Sequence, residues 1–181
     1  SYLFESKNLS YLCYTNEFYD TCVNQQPLLL QHVEKEIYNA INGEVENCIR
    51  ATNDELTRLN YKITPGSRNT SIDLVPGNII IQINYPLTIS KGDNVRKFSG
   101  FQVRKPSESY HLITLTNSIV NFEARYGEAD PNIYMVFYPQ TKVEKLKQGD
   151  GTTIYKVYDR ETKETFNFAV RSVVFPPGYD F

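Results

Sequence analysis

The chain has 181 residues, 40% of them hydrophobic and 22% charged, a length and balance that suit one folded domain, or at most two small ones, and exclude a disordered chain. Its net charge of −2 gives no basis for a polyanion partner, so nucleic acid is not expected. No apolar run approaches the roughly 20 residues of a membrane span. Fourteen Tyr and ten Phe, with no Trp and one Met, favour sheets and contact surfaces.

Residues 1–26 show no clean period and carry Tyr2, Phe4, Tyr11, Tyr14, Phe18 and Tyr19. They read as an extended arm with one or two short strands. Its aromatics either cover the body of the same molecule or engage a neighbouring subunit, for instance by adding a strand to an open sheet edge. Cys13 and Cys22 bracket the Tyr-rich loop YTNEFYDT at a spacing that a local disulfide can close; the alternative is that all three cysteines, including Cys48, are reduced. Two sequons, at Asn8 and Asn69, lie in polar, turn-like stretches and are candidate glycosylation sites of an exported chain.

Pro27 to Ile49 reads as one long amphipathic helix with Leu30, Val33, Ile37, Ile41, Val45 and Cys48 on a single stripe. Gly43 costs about 1 kcal/mol relative to Ala there, so a break at Asn42-Gly43 is allowed for, and Thr52 is a candidate cap for a second short helical piece. After a polar linker, 62–71, come strands at 71–75, 78–89 and 95–105, the first two joined by a turn at Pro76-Gly77 and the second interrupted at Pro86. A second helix, 107–126, has its stripe at Leu112, Leu115, Ile119, Phe122 and Tyr126 and a stop at Gly127. Residues 133–139, 152–159 and 165–175 read as strands, with a charged segment around Val143 and Leu146 and an irregular tail from Pro176. The expected organisation is an aromatic arm, 1–26, and a single α+β domain, 27–181, in which a twisted antiparallel sheet packs on the two helices.

Candidates for chemistry are few. His32 and Cys48 lie sixteen residues apart, about 24 Å on a straight helix, too far for a nucleophile pair. Cys22 with His32 or His111 stays open, although a histidine near a helix end is far more often an ordinary surface residue. Zinc-ligand spacing is missing, and Asp93, Asn94, Asp130, Asn132 and Asp150 read as turn residues before calcium ligands. No catalytic residue, metal or cofactor is expected, so the enzyme reading stands third.

The stretches SYLFESKNLSYLCYT, TCVNQQPLLLQHVEKEI, ENCI, IIIQINYPLTISKGD and FNFAVR resemble a family of exported, membrane-anchored surface proteins of small-genome archaea of the DPANN group. The likeness runs from Tyr2 to about Arg171. In that family a type IV pilin-like N-terminal helix precedes the soluble part, and the family brings no enzymatic residues to carry over. The resemblance implies a cell-surface or secreted location, membrane attachment only through a segment upstream of Ser1, and pairing of Cys48 with an upstream cysteine. With the residue-level reading, it points to a non-enzymatic extracellular structural or interaction module whose partners are itself or other surface proteins. The alternative is a domain binding a small molecule or glycan.

Overall fold

The computed structural model describes residues 1–176, so all but the first residue of the expected irregular tail, 176–181, lies outside the described residues. In chain order the elements begin β1 (Tyr2–Phe4), β2 (Lys7–Leu9), β3 (Tyr11–Tyr14), β4 (Val23–Asn24) and α1 (Leu29–Arg58). They continue with β5 (Lys62–Pro65), β6 (Asn69–Val75), β7 (Asn78–Lys91) and β8 (Asn94–Pro106). The last set is α2 (Ser109–Tyr126), α3 (Pro131–Phe137), β9 (Thr141–Lys147), β10 (Thr152–Asp159) and β11 (Thr165–Arg171). This is an α+β chain with open, largely antiparallel sheets.

Where the sequence places an arm before one domain, the chain instead forms two compact units. One is built from residues 1–30 together with 107 onward, and the other from 31–106. The reason is pairing between distant residues. β3 enters the five-stranded sheet β4-β3-β11-β10-β9 alongside β11, in parallel, so the N-terminal residues are structural strands of the first unit. Ile154 packs with Leu9 and Ala169 in a smaller cluster covered by Tyr2, Phe4, Tyr11 and Leu146, while the core of that unit collects Leu12, Leu112, Ile119, Val143, Val157, Phe168 and Val170, all nearly solvent-free. Tyr155 and Phe168 stack among them with ring centroids 5.1 Å apart. α2 ends where Gly127 takes a left-handed conformation, φ 87°, and its N–H caps the Glu123 carbonyl.

The charged segment around Val143 and Leu146 is strand β9, the first 26 residues hold four short strands, and α3 and the end of α2 also differ from the sequence reading. Residues 133–139 look like an apolar strand, yet Pro131–Phe137 is helical. Asp130 accepts a hydrogen bond from the Asn132 N–H at 2.9 Å and Pro131 sits in the first turn, so a cap and a preset φ outweigh β propensity. On α2 the buried positions near the C-terminal end are Val120 and Glu123, with Tyr126 60% exposed, so the stripe turns away from Phe122 and Tyr126.

α1, which belongs to the second unit from residue 31 on, is one 30-residue helix, continuous through Gly43. Thr52 does not cap a new helix: its hydroxyl bonds back to the Cys48 carbonyl at 2.9 Å, as a mid-helix threonine does. Val33, Ile37, Ile41, Val45 and Ile49 form its half-buried stripe, and Cys48 is exposed off that stripe, one residue from the expected position. The stripe continues to Asn53, whose amide donates to the Tyr85 hydroxyl at 2.9 Å, while Glu34 accepts from the Leu74 N–H at 2.9 Å. Those two bonds tie the helix to the sheet.

β7 is the central strand. β6 pairs along its first half, β5 along its second, and β8 along its whole other side. β5 falls in the stretch read as linker, because its Ile63 and Thr64 find partners only in Ile89 and Thr88. At Pro86 the ladder bulges, Tyr85 and Pro86 standing opposite the single Ser99. Next to the bulge the strands approach so closely that a Cβ on Gly100 would strike the Ile83 carbonyl oxygen. Gly100→Ala is therefore expected to lower stability by about 1–3 kcal/mol in urea unfolding, and an unchanged midpoint would show the ladder to be looser than described.

Candidate functional site

The N-terminal segment carries the six aromatics that the sequence singles out. Cys13 and Cys22 are joined by a disulfide, Cα to Cα 5.3 Å, which fastens the loop between β3 and β4. Tyr2, Phe4, Tyr11 and Tyr14 are half-buried on the same molecule. Tyr11 meets Tyr2 and Tyr14 edge-on at 6.2 and 5.0 Å and its hydroxyl pairs with Thr152 Oγ1 at 2.8 Å. The Lys156 ammonium lies 4.9 Å from the Phe4 ring and the Arg171 guanidinium 6.0 Å from that of Tyr14. These residues therefore form no protruding arm, because the strand that carries Tyr11 and Tyr14 is paired inside the sheet. Phe18 and Tyr19 stay 46% and 58% exposed. Asn8 and Asn69 are exposed, on β2 and at the start of β6.

The histidines do not meet a cysteine. His32 is exposed, and His111 pairs through Nε2 with Thr141 Oγ1 at 3.1 Å and packs on Tyr138. Among the described residues no three His, Cys, Asp or Glu side chains gather as a metal site, and no helix is long and apolar enough to cross a membrane.

The first unit has a cleft of about 510 Å³, lined among others by Lys145, Lys147, Asp150 and Arg171, with Glu123 and Glu128 at its wall. Glu123 is only 2% exposed. Its Oε1 accepts a hydrogen bond from the Tyr155 hydroxyl and another from the Ala129 N–H at 3.0 Å, and the Lys145 ammonium stands 3.8 Å away. Burial pushes the Glu123 carboxyl above the usual carboxylate range, against the pull of those donors. Burial, then the nearby Glu123 charge, pushes the Tyr155 phenol up as well, while the Lys147 ammonium beside Glu128 holds that carboxyl low. Sequence reasoning passed over Glu123. The signal was there, since it stands four residues beyond Ile119 on the buried face, but a charged residue is not assigned to a core stripe without its partners in view. A second cleft of about 550 Å³ lies between α2 and α3, its lining mixing Leu115, Ile133 and Phe137 with His111, Thr114 and Ser118.

The second unit offers a different kind of surface. β8 runs 13 residues and pairs only with β7 among the described residues, so its outer edge presents unpaired N–H and C=O groups. Every residue but Gly100 is exposed. Phe98, Phe101 and Val103 are 42%, 45% and 49% exposed, and the two rings stack at 6.4 Å. By register Phe101 and Val103 stand opposite Ile83 and Ile81 and Phe98 opposite Leu87, so the apolar strip continues that of the central strand. Alternation in the sequence marks β8 as a strand; only the pairing reveals it as a long free edge.

Set against known protein families, curated proteins and solved structures, the chain matches none of them.

Proposed function

We propose that this chain is a non-enzymatic extracellular interaction module that engages a partner along the outer edge of β8. The observation that carries the reading is that edge: 13 residues long, unpaired among the described residues, with a strip of half-exposed Phe98, Phe101 and Val103. Proteins usually shorten, cover, bend or charge such edges, and this one, charged towards its ends, stays long and keeps an exposed apolar centre suited to receiving another strand. The Cys13–Cys22 disulfide supports an oxidising location, since such bonds persist outside the reducing cytosol. On this reading the chain is a subunit or displayed domain of a cell-surface assembly. The buried acid Glu123 serves structure, holding the Ala129 amide and the Tyr155 hydroxyl rather than facing a substrate.

The test is the size of the native protein recovered from the envelope fraction and measured by sedimentation. It is expected to run larger than a monomer and to return to monomer on replacing Phe101 and Val103, both exposed, with Glu. A strictly monomeric, freely diffusing wild-type product overturns the reading. The alternative, a small-molecule or glycan site, is supported by the cleft of about 510 Å³, whose lining includes Lys145, Arg171 and Asp150.

A further inference from the structure

We propose that the occupant of the β8 edge is an extended acidic segment of another protein and not a second copy of this chain; this rests on the reading of β8 as an interaction edge. β8 carries Arg96, Lys97, Arg104 and Lys105 and no acidic residue, within a chain whose net charge is −2. None of the four cations has a carboxylate within ion-pair distance among the described residues; Arg104 reaches only the Gln102 side chain, at 3.5 Å. They stand as two pairs flanking the apolar centre of Phe98, Phe101 and Val103, the pairs about 26 Å apart at the rise of an extended strand.

This arrangement discriminates between partners. A second β8 laid antiparallel with the apolar centres in register sets Arg96 and Lys97 opposite Lys105 and Arg104. Laid parallel and in register, it sets each cation opposite its own copy. Like charges directly across a ladder destabilise it, and a stagger that separates them also separates the apolar centres. The other long edges of this chain are no better complements, since β6 has Asp73 as its one acid and β9 sets Glu144 among three lysines. Edge lysines alone would be explained as protection against uncontrolled pairing. That account leaves the exposed Phe98, Phe101 and Val103 between them unexplained, whereas a partner strand with apolar side chains flanked by Asp or Glu answers both. A phosphate backbone would answer the cations and leave the edge N–H and C=O groups unmet.

The experiment uses three labelled peptides spanning the length of Arg96–Lys105, each with a core of alternating Thr and Val. One has Asp-Glu at both ends, one has Lys-Lys at both ends, and one is the acidic peptide N-methylated at alternate core amides. By fluorescence anisotropy on the whole chain, the acidic peptide is expected to bind about tenfold tighter than the lysine peptide, or better, and to weaken as salt rises. N-methylation is expected to cost about tenfold or more, because it removes ladder hydrogen bonds. Replacing Arg96, Lys97, Arg104 and Lys105 with Glu, with the fold checked by circular dichroism, is expected to reverse the preference. Equal binding of the methylated and unmethylated acidic peptides, or full displacement by oligothymidylate, overturns the proposal in favour of a polyanion surface. Self-association of the wild type that Phe101→Glu abolishes overturns it while leaving β8 an interaction edge. Binding of none of the three peptides, with no self-association, overturns both.

Discussion

Replacing Glu123 with alanine is expected to lower the stability of the first unit by about 2–4 kcal/mol, read as a shift of the urea midpoint. The carboxylate is the acceptor for the Tyr155 hydroxyl and for the Ala129 N–H at 3.0 Å. Alanine leaves both donors in a nearly solvent-free site, each at a cost of about 1–3 kcal/mol, and opens a small cavity beside them. Glutamine keeps a carbonyl acceptor of the same shape, so Glu123→Gln should cost about 1 kcal/mol or less. It also removes the titration, which gives a second readout. Because burial raises the carboxyl above its usual value near 4.5, the folded unit favours the protonated form. That contribution is fully present below the unfolded value near 4.5 and is lost as pH rises through the folded one, so wild type should lose stability relative to Glu123→Gln over the range above the unfolded value. Lys145 on β9, Tyr155 on β10, Tyr134 on α3 and Glu128 face the side chain at position 123 in both proteins. Glu128, held low by Lys147, and Asp159, held low by the Thr162 amide, work with the opposite sign and lose their contribution on acidification. They are common to both proteins, so the difference isolates Glu123, and a flat difference across that range would show its carboxyl to be unshifted.

What could be read without coordinates were features of short reach. Apolar residues at spacings of three and four located α1 and α2, Pro76-Gly77 located the turn between β6 and β7, and the nine-residue separation of Cys13 and Cys22 already allowed a bond. What stayed hidden depends on partners distant in the chain. β3 is a strand of the first unit because β11, more than 150 residues later, lies beside it, and nothing in YLCY announces that neighbour. Glu123 enters a core because Tyr155, Lys145 and the Ala129 amide await it. Cys48 missed the stripe by one position, a distinction that a 3.6-residue period draws only once the direction of the packed face is known. The same holds for β8. Its alternation is visible in the letters, but whether Phe101 and Val103 lie under another strand or at an open edge is decided by the pairing of β7. The candidate interaction surface therefore became legible with the sheet order, and the six aromatics the sequence singled out proved to be set largely into the body of the first unit.

Removing the Cys13–Cys22 bond is the other change of large expected effect. Closing a loop between residues nine apart restricts the unfolded chain by about 2.5 kcal/mol in the chain-entropy account. Cys13→Ala with Cys22→Ala is therefore expected to lower the melting temperature of the first unit by on the order of 10 °C. Alanine is the cleaner replacement, because both cysteines are buried and serine would add hydroxyls that need partners. The effect has a structural route. The loop between the cysteines is stitched to the end of the sheet by the Tyr19 N–H to the Val174 carbonyl at 2.9 Å and by the Val173 N–H to the Asp20 carbonyl at 2.8 Å. The Cys22 N–H adds a bond to Ser172 Oγ at 3.1 Å. Without the covalent tie those bonds must order the loop alone, so exchange of the Tyr19 and Val173 amides should quicken ahead of global unfolding. Cys48 is the control. Exposed on α1, it should tolerate Cys48→Ser within about 0.5 kcal/mol, so a reductant that destabilises wild type and Cys48→Ser equally, yet leaves the double alanine variant unchanged, acts through the one bond. A double variant as stable as wild type would instead show that hydrogen bonds and packing already fix the loop.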